Sequence, residues 1–198
     1  LKKKISLKKT KSNERSSSAV IFYWGIDGQN EKLDLHNILF SKNYMKEFDC
    51  LKNGDVYSDP TVYINITSKK IKSDAPKGKE NWFVMINVPH NTGQFSDNLL
   101  KEIKKNIIKK INKILNIKLE SLILTEQIVD PRTIELETLS FAGALYGTSS
   151  NTFSSAFFRH SNFSNKIKGL YFCGGSVHPG GGIPLALSSA KIVDELIN

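Results

Sequence analysis

Cysteine is scarce. Two thiols, Cys50 and Cys173, stand in 198 residues, with no CxxC spacing and no metal-ligand pattern around them. That excludes a disulfide-stapled fold and a zinc module, and a reducing, cytoplasmic setting is expected. Long apolar runs are missing as well. None approaches the roughly 18 residues that a membrane-spanning helix needs, and the first residues, LKKKISLKKTKSNER, lack the apolar stretch of a secretion signal. Arginine is rare too: the 28 basic residues include Arg15, Arg132 and Arg159 and are otherwise lysine, a poor supply for bidentate contacts to phosphates or bases. The net charge of +9 is concentrated in residues 1–15 and 99–118, and the remainder is acidic. No nucleic-acid partner is expected. Finally, no GxGxxG follows a strand-like segment, so the usual dinucleotide fingerprint is absent.

What is there reads as an α/β chain with enough apolar residues, 39%, for one sizeable core. After a basic lead over residues 1–15, SSSAVIFYWGI (16–26) has the β-branched and aromatic content of a strand. Residues 33–40 form a second apolar segment. TVYINIT (61–67) alternates Val62, Ile64 and Ile66 with Tyr63, Asn65 and Thr67, the period of a strand with two different faces. NWFVMINVPH (81–90) and LESLILTEQIV (119–129) read as further strands. Strands joined without intervening helices imply a mixed or antiparallel sheet, and a mixed one is expected. Residues 96–115 form the clearest helix, with Leu99, Ile103, Ile107, Ile111 and Ile114 or Leu115 on one stripe and Ser96 or Asp97 as N-cap. Asp130-Pro131 then opens a short helix. Residues 141–151 are small, glycine-bearing loop, and GLYFCGG (169–175) reads as a strand buried on both faces, with Cys173 as a small buried hydrophobe.

The densest signal lies at the end: CGGSVHPGGGIP (173–184) runs from that strand into the helical pattern LALSSAKIVDELI. Pro184 suits a first helical turn, and Gly180, Gly181 and Gly182 leave bare backbone N–H groups at its positive end. Gly174 and Gly175 allow another molecule to press on the backbone at the carboxyl end of a strand. Five glycines exceed what a tight turn needs, so a ligand loop for a large, partly anionic molecule is expected. His178, with no second histidine nearby in sequence, shapes this loop or touches the ligand rather than acting as a base.

These residues resemble the C-terminal signature of the carotenoid (phytoene) desaturases, flavoproteins related to amine oxidases. Gly174, His178, Pro179, Gly180, Gly182, Ile183 and Pro184 stand at the family's places, while Ser176 replaces a glycine and Val177 a threonine. DPTVYINITSKKIKSDAPKGKENWFVMINVPH (59–90) is similar to the family's segment running from D-P-x-x-Y to V-P-H. The resemblance spans residues 16–198. It implies a non-covalently bound FAD, contacted by Gly174, Gly175, Ser176, His178, Pro179, Gly180, Gly182, Ile183 and Pro184. It also implies a substrate domain over residues 16–140, and a segment 141–198 that completes a Rossmann-like FAD domain. The N-terminal half of that domain would precede this chain. Oxidation of an acyclic or hydroxylated carotene would follow, with Tyr63, Asn65, Trp82 and Tyr146 lining an apolar cavity or serving as core. A related flavoenzyme that isomerises or saturates a polyene, or a flavin-free lipid carrier, are the alternatives. A carotene must be drawn from a bilayer, so peripheral attachment to an anionic membrane surface is expected, through the lysines of residues 99–118.

Overall fold

The alternation read from residues 61–67 is built as drawn. The structure, a computed structural model, describes residues 15–148 and 159–198, so the basic lead and the end of the 141–151 loop lie largely outside the described residues. Contacts divide the chain into two units, Ser18–Gly143 on one side and Leu1–Ser17 with Ala144–Asn198 on the other.

The first unit is a sheet with a helix laid on one face. Its strands are β1 (Ser18–Asp27), β2 (His36–Leu39), β3 (Val62–Asn65), β4 (Lys79–Val88) and β5 (Ile123–Val129), in the order β2-β3-β4-β1-β5. Every pairing is antiparallel, so the sheet is not mixed as expected. Strands β4 and β5 run parallel to each other across the helical connection Asp97–Leu115, but β1 lies between them and pairs antiparallel with both, so no two neighbouring strands are parallel. Opposite Trp24 stands Trp82, and opposite Phe22 stands Val84; Val84 in turn pairs with Ile64. These residues point to one face and are fully buried.

Helix α2 (Asp97–Leu115) covers that face. Ser96 caps it, accepting from Leu99 N at 3.2 Å. It buries Leu100, Ile103, Ile107, Ile108, Ile111 and Leu115 in one cluster with the sheet residues. At about 1.5–3 kcal/mol for each such side chain, this contact is the main source of the unit's stability. The buried stripe is turned slightly from the one read in sequence: Leu99 is half-buried and Ile114 is exposed. Four of the five isoleucines, Ile103, Ile107, Ile108 and Ile111, therefore serve the core, while Lys101, Lys105, Lys109 and Lys113 form an exposed row.

Helix α1 (Tyr44–Asn53) inverts the usual pattern. Asn43 caps it, accepting from Lys46 N, and Gly54 ends it in the left-handed conformation. Glu47 is turned inward and buried, accepting from Thr61 N and Thr61 Oγ1, both at 2.7 Å. Tyr44, Met45 and Phe48 face outward, and Phe40 is exposed beside them, with edge contacts linking Phe40 to Tyr44 and Tyr44 to Phe48. A short helix α3 (Pro131–Thr138) follows β5, with Asp130 accepting from Arg132 N and Thr133 N as its N-cap.

In the second unit, α4 (Ile183–Ile197) buries Ser189 and exposes Ile183, Leu187 and Ile197. The strand expected over 169–175 is absent: a single bridge joins Tyr171 to Phe163. Cys173 is exposed rather than buried. A strand with two covered faces needs ladder partners on both sides, and among the described residues this segment has one isolated bridge.

Candidate functional site

Two places gather the residues singled out in sequence, one in each unit.

The glycine loop is held from beneath by polar groups. Asn162, buried, holds Nδ2 within hydrogen-bond distance of Phe172 O (3.1 Å), His178 O (2.9 Å) and Ser189 Oγ (2.8 Å), which share its two hydrogens. Ser189 Oγ also accepts from Gly174 N at 3.1 Å. His178 N donates to His160 O. Asn162 and Ser189 thus fix the path of residues 172–178, and sequence reasoning missed both, since an isolated Asn and a Ser within a helix carry no distinguishing pattern. The His178–Pro179 peptide is cis. His178 itself is exposed, and it is its backbone that the loop grips.

The loop then enters α4 through Gly182, at φ 97° and ψ 148°, with no side chain capping the helix. The first turn of any helix leaves N–H groups without intrahelical partners, so among the described residues this N-terminus presents donors with no side-chain cap, at the positive end of the helix dipole. Glycine is required for two separate reasons here. At Gly182 the backbone lies where side-chain-bearing residues are strained, yet no atom lies within 4 Å of where a Cβ would stand. At Gly181 the space is taken, since a Cβ would fall 2.2 Å from Tyr146 Cδ1. Tyr146 therefore packs against Gly181, whereas the Cβ positions of Gly182 and Gly174 are open. Ser176 lies against Gly147, and Gly180 lies against the Arg159 side chain. Gly175, Pro179, Ile183 and Pro184 complete the run.

The second place is the face of the sheet opposite α2. Tyr63 pairs with Met85 and Asn65 with Phe83, so Tyr63, Asn65, Phe83 and Met85 share this face. Trp82 does not. It is 2% exposed, on the helix side, with Nε1 donating to Glu80 Oε2 at 2.8 Å. Glu80, also buried, meets Lys69 Nζ at 2.6 Å. Trp82 is corrected to a core residue, because strand alternation places it opposite to its neighbours. The four residues named as cavity lining are therefore not one site: Tyr63 and Asn65 stand together, Trp82 lies behind them, and Tyr146 belongs to the other unit.

Rings cross this face from strand to strand. His36 stacks on Tyr63, Tyr63 meets Phe83 edge-on, and Phe83 meets Tyr23 edge-on at 5.4 Å. At the β2 end of the row, His36 Nδ1 lies 2.8 Å from Tyr63 Oη and 3.1 Å from Asn65 Nδ2. His36 gave no signal in sequence; cross-strand pairing brings it here. Two clefts of the sheet unit, one lined by Val56, Tyr57 and Leu99 and the other by Lys104, Ile123 and Thr125, contain none of the expected site residues.

No protein-family model matches the chain. Curated proteins do, among them two carotenoid desaturases. The chain is 58% identical over 190 residues to a 1-hydroxycarotenoid 3,4-desaturase of Flavobacterium sp. (strain P99-3), covering 96% of this chain and 39% of that protein. It is 35% identical over 190 residues to a 4,4'-diapophytoene desaturase (4,4'-diaponeurosporene-forming) of Staphylococcus aureus (strain Newman), covering 92% of this chain and 38% of that protein. The chain thus spans about two fifths of the length of these relatives.

Proposed function

The chain belongs to the carotenoid desaturase family, and from that membership we propose that it is the C-terminal part of an FAD-dependent oxidoreductase that dehydrogenates an acyclic or hydroxylated carotene. The observation that carries this reading is the uncapped N-terminus of α4, reached through glycines with open space at Gly174 and Gly182. The residues present fit a flavin. Bare N–H groups at a positive helix end suit an anionic or polarised edge of a ring, and the exposed Ile183 beside them suits its apolar plane. When bound, FAD supplies the hydride acceptor that removal of hydrogen from a polyene requires. The work of this chain's residues is positional. Asn162 and Ser189 hold the loop rigid, Tyr146 supports Gly181, and the first turn of α4 offers its donors. In this reading residues 144–198 complete a Rossmann-like FAD domain whose remaining elements lie elsewhere in the parent protein, and residues 18–143 form the substrate domain. The exposed apolar side chains of α4, Ile183, Leu187 and Ile197, support a missing partner surface.

The substrate is a long apolar polyene, and the open, ring-bearing face of the sheet supports that assignment. Such a molecule resides in a bilayer, and the parent is proposed to reach it as a peripheral protein. Among the described residues no helix is long and apolar enough to cross a membrane. The lysine row of α2 offers up to roughly 1 kcal/mol per residue toward anionic headgroups. Since four of the five isoleucines of α2 are used by the core, the apolar contact falls to Phe40, Tyr44, Met45 and Phe48. The test is the purified full-length parent: it should carry one flavin per chain, and a carotene with more conjugated double bonds should appear on turnover. A changed isomer or a shortened chromophore would move the assignment to a polyene isomerase or saturase. Polyene binding without flavin would move it to a carrier.

A further inference from the structure

Resting on the reading of the open sheet face as the polyene site, we propose that the polyene lies across the strands rather than along them. Its bed is one apolar row made by Ile38, Tyr63, Met85, Ile21 and Val129.

Register puts these five residues in line. Ile38 stands opposite Tyr63, Tyr63 opposite Met85, and Ile21 opposite both Met85 and Val129. Each strand gives one residue to the row, on the face away from α2, because alternation sends the neighbouring Phe22, Val84 and Ile64 to the core. The row carries no charge, and its one side-chain polar atom, Tyr63 Oη, lies 2.8 Å from His36 Nδ1. With strands about 4.8 Å apart, five of them span roughly 19 Å, while successive rows on one face are about 6.6 Å apart. The row is therefore a long, narrow apolar strip.

Polar groups bound the strip on both sides. Toward one end of the strands, the next row places His36, Asn65 and Gln127 around the rings of Phe83 and Tyr23. The row after it holds Asn81, Gly25 and Thr125, and beyond that Lys79 and Asp27 form an ion pair at 2.9 Å. Toward the other end, Asn87 is exposed beside Ala19. A hydrocarbon rod laid along a strand would leave apolar contact within a few residues. It would then strip water from polar groups and replace none of their hydrogen bonds. Laid crosswise, it keeps apolar partners from edge strand to edge strand, with Phe83 and Tyr23 as one wall. A protein surface would cover the polar rows too, whereas a strip one residue wide matches a rod.

The test uses the full-length parent and one probe, an acyclic carotene hydrocarbon in mixed micelles, titrated by the circular dichroism that a bound polyene acquires. Ile38 and Val129 sit on opposite edge strands, so no ligand running along the strands reaches both. Ile38→Asn and Val129→Thr each place a polar group under the polyene and should weaken its binding about tenfold. The double variant should lose about a hundredfold, because the two positions share no partner. Thr125→Asn, on the same face of β5 as Val129, should bind as the wild type does. A comparable loss in Thr125→Asn, or wild-type affinity in either edge variant, would overturn the row, and so would a wild-type protein that binds no polyene. Flavin content and thermal unfolding are recorded for every variant; a fall in these with polyene affinity intact would mean that the rest of the parent covers the row, which also overturns it. Turnover separates this proposal from the reading beneath it. If the affinities behave as expected but no double bond is introduced, the desaturase reading falls and the row stands. If carotene is desaturated while the edge variants bind normally, the row falls and the desaturase reading stands.

Discussion

Replacing Gly182 with alanine separates a ligand cradle from a difficult turn. At φ 97° and ψ 148° an alanine carries about 1–3 kcal/mol of backbone strain. That strain is present with or without ligand, so it lowers stability but cancels in a dissociation constant. The new methyl meets no atom of the chain within 4 Å; its one possible obstacle is whatever occupies the open side of the α4 N-terminus. If a flavin packs there, crowding by one methyl costs about 1–3 kcal/mol, or a roughly 5- to 150-fold weaker affinity. Gly93 supplies the control, with φ 100° and equally open surroundings in the sheet unit. The assay is flavin titration of the apo parent by absorbance, beside thermal unfolding of the apo forms. Gly182→Ala and Gly93→Ala should both lose stability, and Gly182→Ala alone should lose flavin affinity. Wild-type affinity in Gly182→Ala, or an equal loss in Gly93→Ala, would refute the cradle.

Three further outcomes follow from the sheet unit. Ile107, fully buried on the sheet-facing side of α2, should cost about 2–5 kcal/mol when cut to alanine, measured by denaturant unfolding. Burial pushes the Asp130 carboxyl up, but hydrogen bonds from the Arg132 side chain and backbone outweigh it and hold its pKa below the usual range. Its stabilisation is therefore complete above the unfolded value near pH ~3.9 and is lost as pH falls through the folded value. Asp130→Asn keeps a helix cap without the charge, so the acid limb of stability against pH should flatten; an unchanged limb would contradict the assignment. For the membrane, sedimentation of the parent with anionic vesicles should weaken at high salt, and the salt-resistant remainder should vanish in Phe48→Ser.

Much of the sheet unit was legible because its signals are local. Alternation in residues 61–67 and 81–88, the stripe of α2 and the Asp130-Pro131 cap all follow from one residue's position relative to the next. Helix α1 was not read, although Asn43 and Gly54 bracket it, because its apolar residues face outward and its buried residue is Glu47; a periodicity search expects the reverse. The segment 169–175 misled for the opposite reason. An apolar run signals burial but does not supply the neighbouring strands, and Tyr171 finds one bridge. At the site, the glycines and Pro184 announced a loop before a helix, since each marks a backbone need. The cluster at His36 is a product of cross-strand register, and Trp82 shows the same rule from the other side: one step along β4 separates the open face from the core.

The central claim is that this chain belongs to a desaturase, and pigment colour tests it most directly. The full-length gene should be expressed in cells that accumulate acyclic carotenes, and the extracted pigments compared with those of control cells by absorption spectrum and mass. The account predicts a red-shifted spectrum and a loss of two mass units per new double bond. An unchanged mass, or a blue shift with gained hydrogen, would contradict it.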